Sequence, residues 1–230
     1  LELDQTKLPF GRPAVRHLLA RITPPVPVPA RELAPLDLAI VIDASGSMRG
    51  APLDAARSAT LELARSLPTS TRLTVVSFAE DVVVHADQVL LDAAGREDVL
   101  TRTAGITTRG CTNLHAGWRT ACSMLAAEGE ESVARSRRIV LLSDGHANRG
   151  EVDPLALADE SRAQAAKGIA TSCIGIGDGY SPDQLRALAE HGGGEGHDAA
   201  DAIEIVEITR GEGQSFAGVA GEGGGLILDL

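Results

Sequence analysis

Aromatic residues are scarce in this sequence, which contains only three Phe, one Tyr and one Trp. Proteins that bind single-stranded nucleic acid stack bases on aromatic side chains. Proteins that bind duplex DNA neutralise its phosphates with Lys and Arg. This chain has 32 acidic and 21 basic residues, for a formal net charge of −11. Its composition therefore argues against nucleic acid as a partner.

Long apolar runs are also missing. A helix that spans a bilayer needs about 20 consecutive apolar residues, and the sequence contains no such run. Residues 1–20 lack the basic start and apolar centre of a secretory leader. We therefore predict no direct membrane insertion and, together with the cysteine usage, a cytoplasmic location. The alternative is a secreted or surface-exposed protein from which a leader has been removed.

Cysteine is limited to Cys111, Cys122 and Cys173, and no pair has C-x-x-C spacing. An odd number of cysteines without that spacing favours neither a disulfide framework nor a zinc site. Cys122 and Cys173 lie in apolar segments, which predicts that they are thiols of the core. Cys111 is expected to be a small residue in a tight loop.

The segment LAIVIDASGSM, residues 38–48, is the most informative part of the chain. An apolar run without polar alternation is typical of a strand buried on both faces of a parallel sheet. Asp43, Ser45 and Ser47 follow at the carboxyl end of that strand, where open α/β sheets bind ligands. Their oxygens are the donors that hard divalent cations prefer.

Two later segments carry similar chemistry. Thr112 lies where a helical pattern begins, so that its hydroxyl is available at the start of a helix. Residues 138–142 are predicted to form another buried strand, and Asp144 follows it closely. Taken singly, Thr112 reads as a helix cap and Asp144 as a turn residue. Their joint occurrence around strands of one sheet favours a shared site.

With these motifs the chain resembles the von Willebrand factor type A family, which includes integrin I domains, over residues 36–200. The resemblance implies a metal ion-dependent adhesion site. In such a site the two serine hydroxyls bind the cation directly and the aspartates contribute charge, often through water. The cation is expected to be Mg2+, with Mn2+ or Ca2+ as alternatives, and an Asp or Glu of a partner protein completes its coordination. The residues implied as metal ligands are Asp43, Ser45, Ser47, Thr112 and Asp144.

The order of the remaining segments predicts an α/β fold. Helices and strands alternate, and the resemblance implies a doubly wound, mostly parallel central sheet with helices on both faces and one antiparallel edge strand. The predicted helices cover residues 52–67, 97–104, 154–167 and 182–190. Further predicted strands cover residues 71–78, 81–85 and 169–176.

Three regions are predicted along the chain. Residues 1–35 form an extension and a proline-rich linker, which the resemblance relates to part of a β-sandwich module. Residues 36–210 form the von Willebrand factor type A domain, with a last strand at 196–198 and a final helix at 199–208. Residues 211–230 form a glycine-rich tail.

A Mg2+-dependent phosphatase or other hydrolase on a similar sheet is the alternative function, with Asp43 attacking phosphorus. A phosphatase of the haloacid dehalogenase type would carry a second Asp at position 45, where this chain has Ser45. It would also place a Lys near the second acidic loop, whereas Asp144 is followed by Gly, His and Ala. We therefore predict a binding module that is not an enzyme. The sequence does not indicate an oligomeric state.

Overall fold

The structure is a computed structural model, and the chain divides into two units, Leu1–Leu33 and Ala34–Leu230. In the first unit, the two-residue strands β1 (Glu2–Leu3) and β2 (Leu18–Leu19) pair antiparallel. The candidate site lies in the second unit. The structure describes residues 2–3, 18–19, 35–126, 135–144, 147–176 and 182–199.

A six-stranded sheet with the order β5-β4-β3-β6-β7-β8 forms the centre of the second unit. Every neighbouring pair is parallel except β4 and β5, which are antiparallel. The edge strand β5 therefore runs against the rest of the sheet. The strands are β3 (Leu36–Asp43), β4 (Arg72–Phe78), β5 (Val82–Leu90), β6 (Ser136–Ser143), β7 (Ile169–Ile176) and β8 (Gly193–Ala199).

Helices cover both faces of this sheet. One face packs with α1 and α2, and the other with α3, α4 and α5. A short 3-10 helix, Gly46–Met48, precedes α1. The predicted doubly wound fold with one antiparallel edge strand is confirmed. The helices are α1 (Ala51–Ser66), α2 (Ala93–Ala104), α3 (Leu114–Ala126), α4 (Pro154–Ala166) and α5 (Pro182–His191).

Strand β3 shows why the apolar run is uninterrupted. All eight of its residues are buried. Leu38 and Ile40 belong to the cluster on the α1 side, whereas Ala39 and Val41 belong to the cluster around Trp118 of α3. Because successive side chains of a strand point to opposite faces, a strand covered on both faces needs apolar residues throughout. This packing sets the position of the strand end at Asp43.

The predicted strand over residues 81–85 was too short, because β5 continues to Leu90. The strand passes a register irregularity at Gln88, which has a positive φ of 43° and donates its backbone N–H to Thr74 Oγ1 at 3.1 Å. The predicted helix start at residue 97 was late, since α2 begins at Ala93. Asp92 caps this helix by accepting the Gly95 N–H at 2.8 Å.

The last strand is also longer than predicted, because β8 spans Gly193–Ala199. A helix starting at residue 199 is therefore wrong. The glycines that weakened the strand pattern permit close pairing with β7, since a Cβ on Gly194 would lie 2.2 Å from the Thr171 carbonyl oxygen. The remainder of the predicted helix and the tail at 211–230 lie outside the described residues, and the domain boundaries stay predictions.

The thiols of Cys122 and Cys173 are buried, as predicted. Burial raises the pKa of Cys122 to about 12 and also raises the pKa of Cys173, which keeps both thiols protonated and unreactive. Cys111 is half-buried. Among the helices that the structure describes, none has the length and apolar character that a membrane span requires. The cytoplasmic location stays a prediction.

Candidate functional site

Three loops meet at the carboxyl edge of the sheet. The first loop, residues 44–50, follows β3; the second loop, residues 105–113, connects α2 to α3; and the third loop, residues 144–153, connects β6 to α4. Strands β3 and β6 are adjacent and parallel, so their loops leave the sheet side by side. This is the edge at which α/β sheets bind ligands.

Backbone hydrogen bonds join the first loop to the second. The Gly46 N–H donates to the Gly110 carbonyl at 3.1 Å, and the Arg109 N–H donates to the Ala44 carbonyl at 2.6 Å. The Ala44 N–H in turn donates to the carbonyl of Phe78 at the end of β4. The first loop is therefore held from both sides.

Asp43, the last residue of β3, is fully buried. Its Oδ1 accepts the Ser45 N–H at 2.8 Å, and its Oδ2 accepts the Ser143 hydroxyl at 2.6 Å. Burial raises the pKa of Asp43 to about 6, although the hydrogen bonds from Ser143 and Ser45 act in the opposite direction; the nearby Asp144 raises it further. Within the described residues, no basic side chain forms an ion pair with Asp43.

The 3-10 helix brings two hydroxyls together beside Asp43. Ser45 Oγ and Ser47 Oγ are 3.0 Å apart; Ser45 is buried and Ser47 is exposed. Met48, fully buried, anchors the turn in the core. Oxygen ligands of Mg2+ lie about 2.1 Å from the ion in an octahedron, which puts adjacent ligands about 3.0 Å apart. The two hydroxyls therefore have the separation of adjacent Mg2+ ligands.

Thr112 and Asp144 are the two remaining predicted ligands. Thr112 is 3% exposed, and its hydroxyl makes no hydrogen bond to any residue that the structure describes. Asp144 is 8% exposed, follows β6 directly and interacts electrostatically with Asp43. The two carboxylates thus lie at the ends of neighbouring strands. Thr112 lies on the loop that is hydrogen bonded to the first loop.

These donors fit a hard divalent cation. They comprise two carboxylates and three hydroxyls, all of them oxygen ligands. In the described part of the chain there is no cluster of three or more His, Cys, Asp or Glu side chains that could hold a metal ion. The residues predicted as ligands form instead a mixed carboxylate and hydroxyl set, and their role as metal ligands stays a prediction. A cation would also offset the cost of burying the ionised Asp43.

Sequence reasoning missed two residues that shape this site. Ser143 binds Asp43, and Asn148 accepts the Thr112 N–H on its Oδ1 at 3.2 Å. The available indications were a serine at the end of a buried strand and the Asn-x-Gly spacing in the third loop. Gly150 at the end of that spacing has a φ of 74°.

The alignments with two curated relatives span most of this chain but less than half of each relative's length. The Synechocystis protein sll0103 is 29% identical over 198 residues, which are 85% of this chain and 45% of that protein. Inter-alpha-trypsin inhibitor heavy chain H3 of Mesocricetus auratus is 27% identical over 166 residues, which are 70% of this chain and 19% of that protein.

Solved structures share the fold. A von Willebrand factor type A protein from Catenulispora acidiphila matches with a TM-score of 0.68 and 22% identity, over 80% of this chain and 43% of that one. Proximal thread matrix protein 1 from the mussel byssus, described with a zinc-occupied MIDAS motif, matches with a TM-score of 0.62 and 22% identity. That match covers 80% of this chain and 46% of the byssus protein.

The family model of the von Willebrand factor type A domain matches residues 36–198, well over half of the chain. This range begins at β3 and ends within β8, so it contains the whole six-stranded sheet except its last residue. The sequence match and the fold therefore agree on the same part of the chain. The chain belongs to the von Willebrand factor type A domain family.

Proposed function

We propose that this domain is a metal-dependent protein-binding module. A divalent cation, Mg2+ or Mn2+, is held by Asp43, Ser45, Ser47, Thr112 and Asp144, and it captures an Asp or Glu side chain of a partner protein. The observation that carries the proposal is the buried Asp43 carboxylate, which has hydroxyl and amide donors around it and an acidic neighbour. Two buried carboxylates close to each other favour binding of a cation.

The residues of the site have distinct tasks in this proposal. Asp43 supplies charge and orients the first loop through the Ser45 N–H. The Ser143 hydroxyl donates to Asp43 Oδ2, so that each oxygen of this carboxylate accepts one hydrogen bond, from the Ser45 N–H or from the Ser143 hydroxyl. Ser45 and Ser47 contribute neutral hydroxyl oxygens. The site therefore has fewer negatively charged side chains than proposed ligands. A bound cation supplies an unsatisfied positive charge and a coordination position for a carboxylate oxygen.

Exposure in the first loop supports capture of a partner group. Ser47 is exposed whereas Ser45 is buried, so the ligand pair reaches from the core to the surface. The mussel byssus protein, which shares this fold, is described with a zinc-occupied MIDAS motif, and this supports the proposal of a divalent cation. The whole relatives are longer than this chain, and we carry over none of their partners.

The same geometry disfavours hydrolysis by Asp43. A carboxylate that attacks phosphorus needs an accessible oxygen. Asp43 is fully buried, and both of its oxygens accept hydrogen bonds. Position 45 supplies a hydroxyl rather than a second carboxylate. We therefore propose a binding module without catalytic activity.

Water-proton relaxation with Mn2+ tests both halves of the proposal. Bound Mn2+ on the full chain is expected to enhance relaxation through the water that it retains. Acetate should lower the enhancement by displacing that water, and acetamide, which has the same size but no charge, should not.

The control is Asp144→Asn, which removes a proposed ligand charge and should abolish the enhancement. Folded wild-type protein that gives no enhancement would overturn the metal site. Enhancement that acetate and acetamide change equally would overturn carboxylate capture while leaving metal binding in place.

A further inference from the structure

Residues of the third loop form hydrogen bonds with both the N–H and the carbonyl of Thr112. The Thr112 carbonyl accepts the backbone N–H groups of Asn148 and Arg149, both at 3.1 Å. The Thr112 N–H donates to the side-chain Oδ1 of Asn148 at 3.2 Å. One residue, Asn148, thus contacts Thr112 through both its backbone and its side chain. Thr112 is nearly buried, whereas Asn148 is exposed.

The next residue, Asn113, is fixed by other groups. Its N–H donates to the Ala79 carbonyl at 2.8 Å, and its Oδ1 accepts the Ala116 N–H at 3.1 Å at the start of α3. The third loop approaches it closely, since a Cβ on Gly150 would lie 2.3 Å from Asn113 Oδ1. These contacts fix the start of the helix. The orientation of the Thr112 N–H depends on Asn148 alone among the described side chains.

We propose that Asn148 is a positioning residue for the cation site. Its hydrogen bonds hold the backbone of Thr112 against the loop that carries Asp144, so that the proposed ligands Thr112 and Asp144 keep a constant relative position. The inference rests on the proposed function, because Thr112 needs positioning only if its hydroxyl binds the cation. Groups that orient metal ligands typically change metal affinity by 10–100-fold when they are removed.

Variants at position 148 separate positioning from general stability. Asn148→Ala removes the acceptor, Asn148→Asp keeps an acceptor oxygen at the same place, and Asn148→Gln moves it by one methylene. Val152→Ala is a matched control because Val152 is an exposed, uncharged residue of the same loop. Two quantities are measured on the full chain: Mn2+ affinity by calorimetry, and hydrogen exchange of the Thr112 amide by NMR in metal-free buffer.

Asn148→Ala is expected to weaken Mn2+ binding about tenfold and to accelerate exchange of the Thr112 amide. Asn148→Asp should restore slow exchange of the Thr112 amide, which is the quantity compared for this variant because its added carboxylate attracts the cation directly. Val152→Ala should change neither quantity. Should the alanine variant fail to fold, Asn148→Gln carries the same comparison and is expected to weaken binding to a smaller extent.

Two negative results remain distinguishable. If the wild-type protein binds Mn2+ and the folded alanine and glutamine variants bind it equally well, Asn148 does not position a ligand and only this inference is wrong. If folded wild-type protein binds no Mn2+, the proposed function is wrong and this inference with it. A loss of thermal stability with unchanged affinity would likewise assign Asn148 a purely structural role.

Discussion

Strand β3 has a buried aspartate near each end, and the two have different surroundings. Asp37, near the amino end, forms an ion pair with Arg135, whose Nε lies 2.6 Å from Asp37 Oδ1. Arg135 also donates to the carbonyls of Leu36 and Ser70. Asp43, at the carboxyl end, has hydrogen bonds from Ser45 and Ser143 but no basic partner among the described residues.

The difference separates a structural carboxylate from one suited to bind a cation. At Asp37 the protein supplies its own counter-charge, and the arginine links three parts of the chain. At Asp43 burial raises the pKa to about 6, and among the described residues the charged neighbour that affects this pKa is the like-charged Asp144. An ionised carboxylate is costly to bury without a positive partner. A divalent cation would provide that partner.

Arg135→Ala should produce the largest change in stability. It leaves Asp37 buried without a counter-charge, and removal of one partner of a buried pair costs about 3 kcal/mol in free energy of unfolding. Urea denaturation measures this loss. The control Arg65→Ala removes an exposed arginine and should change the free energy of unfolding by less than about 0.5 kcal/mol. Equal losses of unfolding free energy in the two variants would show that the ion pair of Asp37 and Arg135 does not stabilise the fold.

Saturating Mg2+ should stabilise the wild-type protein by binding at the carboxyl end of strand β3 and nowhere else. A ligand at 100 times its Kd adds about 2.7 kcal/mol to the free energy of unfolding. The same increment is expected in Arg135→Ala, since that variant leaves the candidate metal site unchanged. Asp43→Asn should gain none. A gain of the same size in Asp43→Asn would show that Mg2+ binds elsewhere.

Thr112→Val tests whether the Thr112 hydroxyl is a ligand of the cation proposed at the carboxyl end of β3. Valine has nearly the shape of threonine, and the Thr112 hydroxyl makes no hydrogen bond to the described residues that would be lost. Mn2+ affinity measured by calorimetry should fall about tenfold, with little change in the melting temperature. Thr107→Val, on the exposed part of the same loop, is the control and should bind as the wild type does.

Asp43→Asn in metal-free buffer should give the smallest effect. The amide can accept from the Ser45 N–H and donate to Ser143 Oγ, and it carries no charge to desolvate. We expect the free energy of unfolding to stay unchanged or to rise by about 1 kcal/mol. Asp37→Asn, which leaves Arg135 without its carboxylate, should be destabilising. A marked loss of stability in Asp43→Asn would show that the Asp43 carboxylate stabilises the fold as the Asp37 carboxylate does, and would contradict the proposed difference between the two ends of β3.

The strands and helices that the sequence predicted well are those with a strong apolar pattern. Strand β7 was predicted at its observed limits, Ile169–Ile176, because both of its faces are buried. The predictions failed at the sheet edges, where β5 and β8 carry polar residues and glycines. There the backbone pairing with a neighbouring strand determines the conformation, and sequence patterns detect such pairing poorly.

The candidate ligands were predictable for a related reason. Asp43 ends the buried strand β3 and Asp144 directly follows β6, so their place at one edge of the sheet follows from the fold. Asn148 was not predictable in this way, because its contact with Thr112 joins residues 36 positions apart in two irregular loops. Neither apolar pattern nor strand order determines how such loops meet.

A calorimetric titration of Mg2+ into the metal-stripped full chain, alongside Asp43→Asn, tests whether the carboxyl end of β3 holds a cation. We expect saturable binding at one site by the wild-type protein and none by the folded variant. Equal binding by both proteins, or no binding by folded wild-type protein, would contradict the claim that the carboxyl end of β3 holds a cation.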